Sequence, residues 1–144
     1  MEKIIVKNKD DSIVSVESIV ANLPYVETLS CVFNPDKMDH SPNILTKLLQ
    51  IPHFKNIKWL HLGDVSGNFD FDAFYRFTEE KYTIKTFLEY RENISDNLKD
   101  KIESVIDKYL ELGLCRIFKP PNIEFPGQNE LQKEAFTKLL KKFG

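Results

Sequence analysis

The feature that most constrains this chain is a spacing that recurs. In "LPYVETLSCVFN", apolar residues stand at Leu23, Val26, Leu29 and Cys31, and Asn34 follows. The same apolar-x-x-apolar-x-x-L-x-L order returns in "FKNIKWLHLGDV" as Phe54, Ile57, Leu60 and Leu62. A degenerate third copy lies in "YTIKTFLEYREN": Ile84 precedes Leu88 and Tyr90, while Thr86 and Phe87 leave the register ambiguous. The step is 31 residues from Leu29 to Leu60 and 28 from Leu60 to Leu88. Alternation at the end of each copy is a strand signature, because successive side chains on a strand point to opposite faces. A unit of about 30 residues has room for one strand and one helix.

The intervening segments read as helices. Val16, Ile19, Val20 and Leu23 follow helical spacing. In "HSPNILTKLLQIPHF", Ser41 is the expected N-cap and Pro42 takes the first helical position. Ile44, Leu45, Leu48 and Leu49 then form one stripe, and Pro52 stops the helix. Phe71, Phe74 and Phe77 share a face in "FDFDAFYRFTEE". The clearest helix is "SDNLKDKIESVIDKYLELG", with Ser95 as cap and Gly113 just past its end. Leu98, Ile102, Val105, Ile106, Tyr109 and Leu110 are its buried stripe. Residues 129–143 form a last, capping helix, with Asn129 and Gln132 as a capping pair. Its expected inner face is Leu131, Ala135, Phe136, Leu139, Leu140 and Phe143. A short first strand spans Lys3 to Lys7, and a late one falls at Cys115–Phe118 or Ile123–Phe125. "KPPNIEFPG" carries three prolines, which confines any strand there to an edge.

Strict strand–helix alternation argues for a parallel sheet flanked by helices. A doubly wound sheet buries both faces, and its strands read as solid apolar runs. These strands alternate instead, with Thr28 and Ser30 around Leu29, and Trp59 and His61 around Leu60. The expected architecture is therefore α/β: a short leucine-rich-repeat-like solenoid, its parallel sheet carrying helices on one face. Residues 1–144 form a single domain. Such units bury their apolar faces only by stacking on neighbours.

The composition narrows the function. Twenty Lys+Arg against 22 Asp+Glu leave a net charge of −2, which does not make the broad basic footprint of a nucleic-acid or membrane-surface binder. The N-terminal "MEKIIVKNKDD" has an apolar run too short for a signal peptide, and no stretch reaches the length of a membrane span. Cys31 and Cys115 sit in apolar runs and read as buried, reduced thiols, so the expected compartment is the cytoplasm or nucleus.

No catalytic signature is present. G-x-S-x-G, G-x-G-x-x-G and G-x-x-x-x-G-K-[ST] are all missing, and His40, His53 and His61 lack H-x-x-x-H spacing. Two isolated cysteines make no zinc site. Asp70 and Asp72 form a D-x-D pair, but the ligand count falls short of a divalent-ion site. They read as carboxylates favoured at a helix N-terminus. No cofactor, metal or catalytic residue is assigned.

What remains is the outward face of the strands. If Leu29/Cys31, Leu60/Leu62 and Leu88/Tyr90 point inward, then Thr28, Ser30, Trp59, His61, Phe87, Glu89 and Arg91 point outward. Trp59 beside Phe87, rimmed by His61, Glu89 and Arg91, has the composition of a protein-binding hot spot. The opposite placement makes Trp59, the only Trp, part of the core. A rival reading is a small α/β enzyme with its site at the C-terminal ends of the strands, built from Asp64, His61 and Glu92.

"LPYVETLSCVF", "PHFKNIKWLHL", "FDFDAFYRF" and "KPPNIEFPG" together resemble the C-terminal, FTH-like domain of nematode-type F-box proteins, over roughly Val14 to Gly127. That resemblance implies a domain that selects a protein for a ubiquitin ligase. In the family an F-box of about fifty residues docks on a Skp1-type adaptor; this sequence has no room for one before its first repeat. The expectation is therefore a non-enzymatic protein-interaction domain, without adaptor docking of its own.

Overall fold

The structure, a computed structural model, describes residues 2–7, 25–33, 43–80, 84–113 and 120–143. In the strands, alternating apolar residues face a common core while the ladder satisfies the backbone. The strands are β1 (Glu2–Lys7), β2 (Val26–Val32), β3 (Trp59–Val65), β4 (Lys85–Tyr90) and β5 (Asn122–Glu124). They form one five-stranded sheet in the order β1-β2-β3-β4-β5, and every neighbouring pair is parallel. The helices are α1 (Ile44–Leu49), α2 (Phe71–Glu80), α3 (Asp96–Leu112) and α4 (Glu130–Lys142), with a 3₁₀ turn at Pro52–Asn56. The fold is thus α/β with a parallel sheet.

Leu29, Cys31, Leu60, Leu62, Leu88 and Ile123 alternate along their strands and are all buried. They share one apolar cluster with the buried faces of the four described helices: Ile44 and Leu48 of α1, Phe74 and Phe77 of α2, Ile102 and Ile106 of α3, Phe136 and Leu140 of α4. Thr28, Trp59, His61, Phe87 and Glu89, the intervening positions, stay outside that cluster and keep partial exposure. Burying one strand face of this kind contributes roughly 1.5–3 kcal/mol per large aliphatic side chain.

The register departs from expectation at β4. Leu60 pairs with Thr86, and Leu62 pairs with Leu88. The third copy of the L-x-L pair is therefore Thr86-x-Leu88 rather than Leu88-x-Tyr90. Thr86 is buried at 8% exposure and fills the position that leucine holds in the other copies. Beyond Leu62 the ladder shifts, so that Val65 meets Tyr90. β3 passes through Gly63 and Asp64 where β4 passes through Glu89 alone, a β-bulge. Asp64 takes a positive φ of 55°, which Asp tolerates better than most residues. The extra residue returns Val65 to the buried face.

The helix termini follow local chemistry. Ser95 Oγ accepts from Leu98 N at 3.2 Å, and Gly113 closes α3 with φ 51°. Asn129 Oδ1 accepts from Gln132 N at 3.1 Å. The Gln132 side chain does not complete a capping box; its Nε2 donates to Glu103 O at 3.0 Å and Asp107 Oδ1 at 2.8 Å, tying α4 to α3. Tyr109 and Phe136 stack between the same helices at 6.1 Å. Leu131, expected on the inner face of α4, is 79% exposed, and Ala135 is exposed too. The helix leaves these two in solvent and buries Phe136, Leu139 and Leu140, one narrow stripe.

β5 is three residues long, pairs among the described residues only with β4, and lies between Pro121 and Pro126, as its prolines require. The helical reading of Val16 to Leu23, the Ser41–Pro42 start, Asn34, Cys115 and the Cys115–Phe118 strand lie outside the described residues. Among the described residues no helix is long and apolar enough to cross a membrane.

Candidate functional site

Three neighbouring strands bring three polar side chains into line on the outward face. Parallel pairing sets Ser30 of β2 opposite His61 of β3. Ser30 Oγ lies 2.7 Å from His61 Nδ1, and His61 Nε2 lies 2.8 Å from Glu89 Oε1 on β4. An ionised carboxylate only accepts, so Nε2–H donates to Glu89. Nδ1 is then free to accept the Ser30 hydroxyl proton in the neutral ring. Ser30 is 7% exposed and has a full partner here, as a buried hydroxyl needs.

A glycine makes room for the line. Gly63 follows His61 by two residues, and a Cβ there would lie 3.0 Å from both His61 Cε1 and Nε2, and 3.3 Å from Glu89 Oε1. The imidazole and carboxylate occupy the space a side chain would take. Gly63 was not singled out by the sequence pattern, because its role is visible only when β3 and β4 are set side by side.

Aromatic rings flank the histidine. His61 and Phe87 centroids are 5.0 Å apart, and Trp59 and His61 are 5.8 Å apart. Trp59 pairs with Lys85 rather than Phe87, so the expected Trp59–Phe87 contact is replaced by a row in which His61 sits between the two rings. The cause is the register described above, in which Leu62 rather than Leu60 meets Leu88. Thr28 lies next to Trp59 on β2, and Asn122 next to Phe87 on β5. Glu124 stands opposite Glu89.

Of the seven expected face residues, Thr28, Ser30, Trp59, His61, Phe87 and Glu89 fall on this surface. Arg91, just past the end of β4, is partly exposed like His61 (side chains 14% and 16%), with Nε 3.8 Å from Glu92 Oε1. Its backbone N–H donates to Val65 O at 3.1 Å, beyond the bulge of β3.

The other candidates resolve as local structure. Asp70 Oδ1 accepts from Ala73 N at 3.0 Å and caps α2. Asp72 pairs with Lys101 of α3 at 3.1 Å. Among the described residues no cluster of His, Cys, Asp or Glu is assembled to hold a metal ion. Cys31 is buried on the opposite face of β2, and burial pushes its thiol up to about 12. Burial, reinforced by the Asp70 carboxylate, raises the Tyr90 phenol above its ordinary range. Asp64 lies at the bulge and Glu92 beside Arg91, whereas the described hydrogen bonds of His61 go to Ser30 and Glu89.

A Ser–His–Glu line is also the order of groups in a nucleophilic triad. The backbone around it offers a different environment. In a parallel ladder the N–H groups lie within the sheet and bond to neighbouring strands. An acyl oxygen above Ser30 therefore meets side chains rather than the paired N–H donors that stabilise an oxyanion. The line fixes the imidazole between two aromatic rings and holds one Glu89 oxygen against it. Comparison of the chain with protein-family models, with curated proteins and with solved structures finds no match.

Proposed function

We propose that this chain is a non-enzymatic protein-interaction domain that binds its partner on the outward face of the sheet. The observation that carries the reading is the Trp59–His61–Phe87 row. These rings lie outside the core and retain exposure; the Ser30 and Glu89 contacts hold the central His61 ring, and Trp59 and Phe87 pack on either side of it. Preordered aromatic groups lose little freedom on binding and supply much of the apolar area of a hot spot. The strand order and one-sided apolar cluster support a short leucine-rich-repeat-like solenoid, with helices on one flank of the sheet. The resemblance to the C-terminal domain of nematode-type F-box proteins makes the bound protein a candidate for tagging by a ubiquitin ligase, in the cytoplasm or nucleus. A Skp1-type adaptor is not the partner expected for this face.

Affinity capture from cell extract tests the proposal. The wild-type chain retains a specific protein, the Trp59→Ala/Phe87→Ala double variant loses it, and a Lys138→Ala control on the exposed side of α4 keeps it. Equal retention by all three sinks the proposal.

A second reading, a serine hydrolase, is favoured by the Ser30–His61–Glu89 geometry alone. A fluorophosphonate probe separates the two. Labelling at Ser30 that disappears in His61→Ala identifies a hydrolase, and an unlabelled, binding-competent chain identifies an interaction domain.

A further inference from the structure

The outward face is asymmetric in charge, and that asymmetry specifies what fits on it. Glu89 and Glu124 occupy directly opposed positions on β4 and β5. Parallel strands set such residues about 4.8 Å apart, and like charges so placed repel. Among the described residues neither carboxylate has a Lys or Arg ion-pair partner: Lys85, on the same face of β4, stands opposite Trp59 at the far end of the strand, and Arg91, just past the strand, is turned toward Glu92. His61 engages only Glu89 Oε1. A carboxylate has about four acceptor sites, so most of the pair's capacity faces outward. Immediately beside it, Phe87 and Trp59 supply aromatic faces on either side of His61.

Resting on the protein-binding reading above, we infer that the partner presents an arginine to this face, within an extended apolar segment. The guanidinium is planar. It stacks on an aromatic face while donating two parallel hydrogen bonds to a carboxylate. It would relieve the Glu89–Glu124 repulsion and cover Phe87 in one placement. A lysine ammonium neutralises the same charge without the planar stack, and an acidic segment meets repulsion. The His61 contact acts as a positioning device, holding Glu89 Oε1 so that Oε2 is presented in a fixed direction.

Trp59 is the only tryptophan, so its fluorescence reports this face specifically. Three peptides serve as probes: Ac-Leu-Arg-Leu-Arg-Leu-NH2 and its analogues with Gln or Glu in place of both arginines. The arginine peptide should give a saturable change in Trp59 emission, with affinity about tenfold above the Gln peptide, falling as salt rises. Glu89→Gln and Glu124→Gln should each remove that preference. Glu124→Gln leaves the His61 contact untouched and so separates charge from positioning. Equal affinity for the Arg and Gln peptides, or a preference surviving both variants, overturns the arginine inference and leaves the protein-binding reading standing. Absence of a saturable response to all three peptides counts against both.

Discussion

The two faces of one sheet obey different rules. Leu29, Leu60, Leu62 and Leu88 on one face are specified by exclusion of water: each touches many neighbours and none needs a particular partner atom. Ser30, His61 and Glu89 on the other are specified pairwise, through distances of 2.7 and 2.8 Å. The same backbone ladder carries both. The strand pattern is therefore robust to exchange among apolar residues on the inner face, whereas the outer face tolerates little change in shape at His61.

The largest effect expected from breaking this contrast is at the core. Leu62→Ala, at a position with 0% exposure, should lose about 2–5 kcal/mol in urea unfolding. Alkaline pH gives the next test. The thiol of Cys31 ionises in the unfolded chain near its ordinary 9.0 but stays neutral in the fold until about 12. The unfolded state thus binds fewer protons in that window, so stability is full below it and falls as pH rises, by at most about 1.4 kcal/mol per unit. Tyr90 adds a change of the same sign. Urea midpoints measured at about pH 8 and about pH 10.5 should converge in Cys31→Val relative to wild type; an unchanged gap places the alkaline sensitivity elsewhere.

A third test sharpens the outer face. Gly63→Ala puts a Cβ 3.0 Å from the His61 ring and should turn the imidazole off Glu89. A cost of about 1 kcal/mol is expected from the hydrogen bond lost to the partly exposed Glu89 carboxylate. Histidine proton resonances should shift while the far-ultraviolet spectrum stays the same. The smallest effect is at Trp59. Trp59→Ala should stay within about 1 kcal/mol of wild type, because the ring lies outside the core cluster. A cost matching that of Leu62→Ala would erase the distinction between the faces.

Much of the inner face was legible in the sequence, because alternation and helical spacing carry the burial signal residue by residue. Leu29, Leu60, Ile102 and Phe74 needed no knowledge of their neighbours. The outer face was legible only as a roster. Ser30, His61 and Glu89 were each placed outward, but their connection depends on register, and register hinged on Thr86. A buried threonine standing where two other copies have leucine makes Leu88-x-Tyr90 look like the repeat, which moves β4 by two residues. The Gly63–Asp64 insertion hides in the same way, since one extra residue leaves no mark on apolar periodicity. Arg91 lies just past the last residue pair of the β3–β4 ladder, so alternation gives its face and not its partner.

The short β5, bracketed by Pro121 and Pro126, has a consequence for how anything approaches this molecule. Prolines lack the N–H that an added strand would need, and a three-residue edge offers little length for pairing. A visitor cannot extend the sheet on that flank by zipping main chain to main chain. On the binding proposal a partner lands broadside, on rings and carboxylates, and selectivity at this surface is then written in side chains.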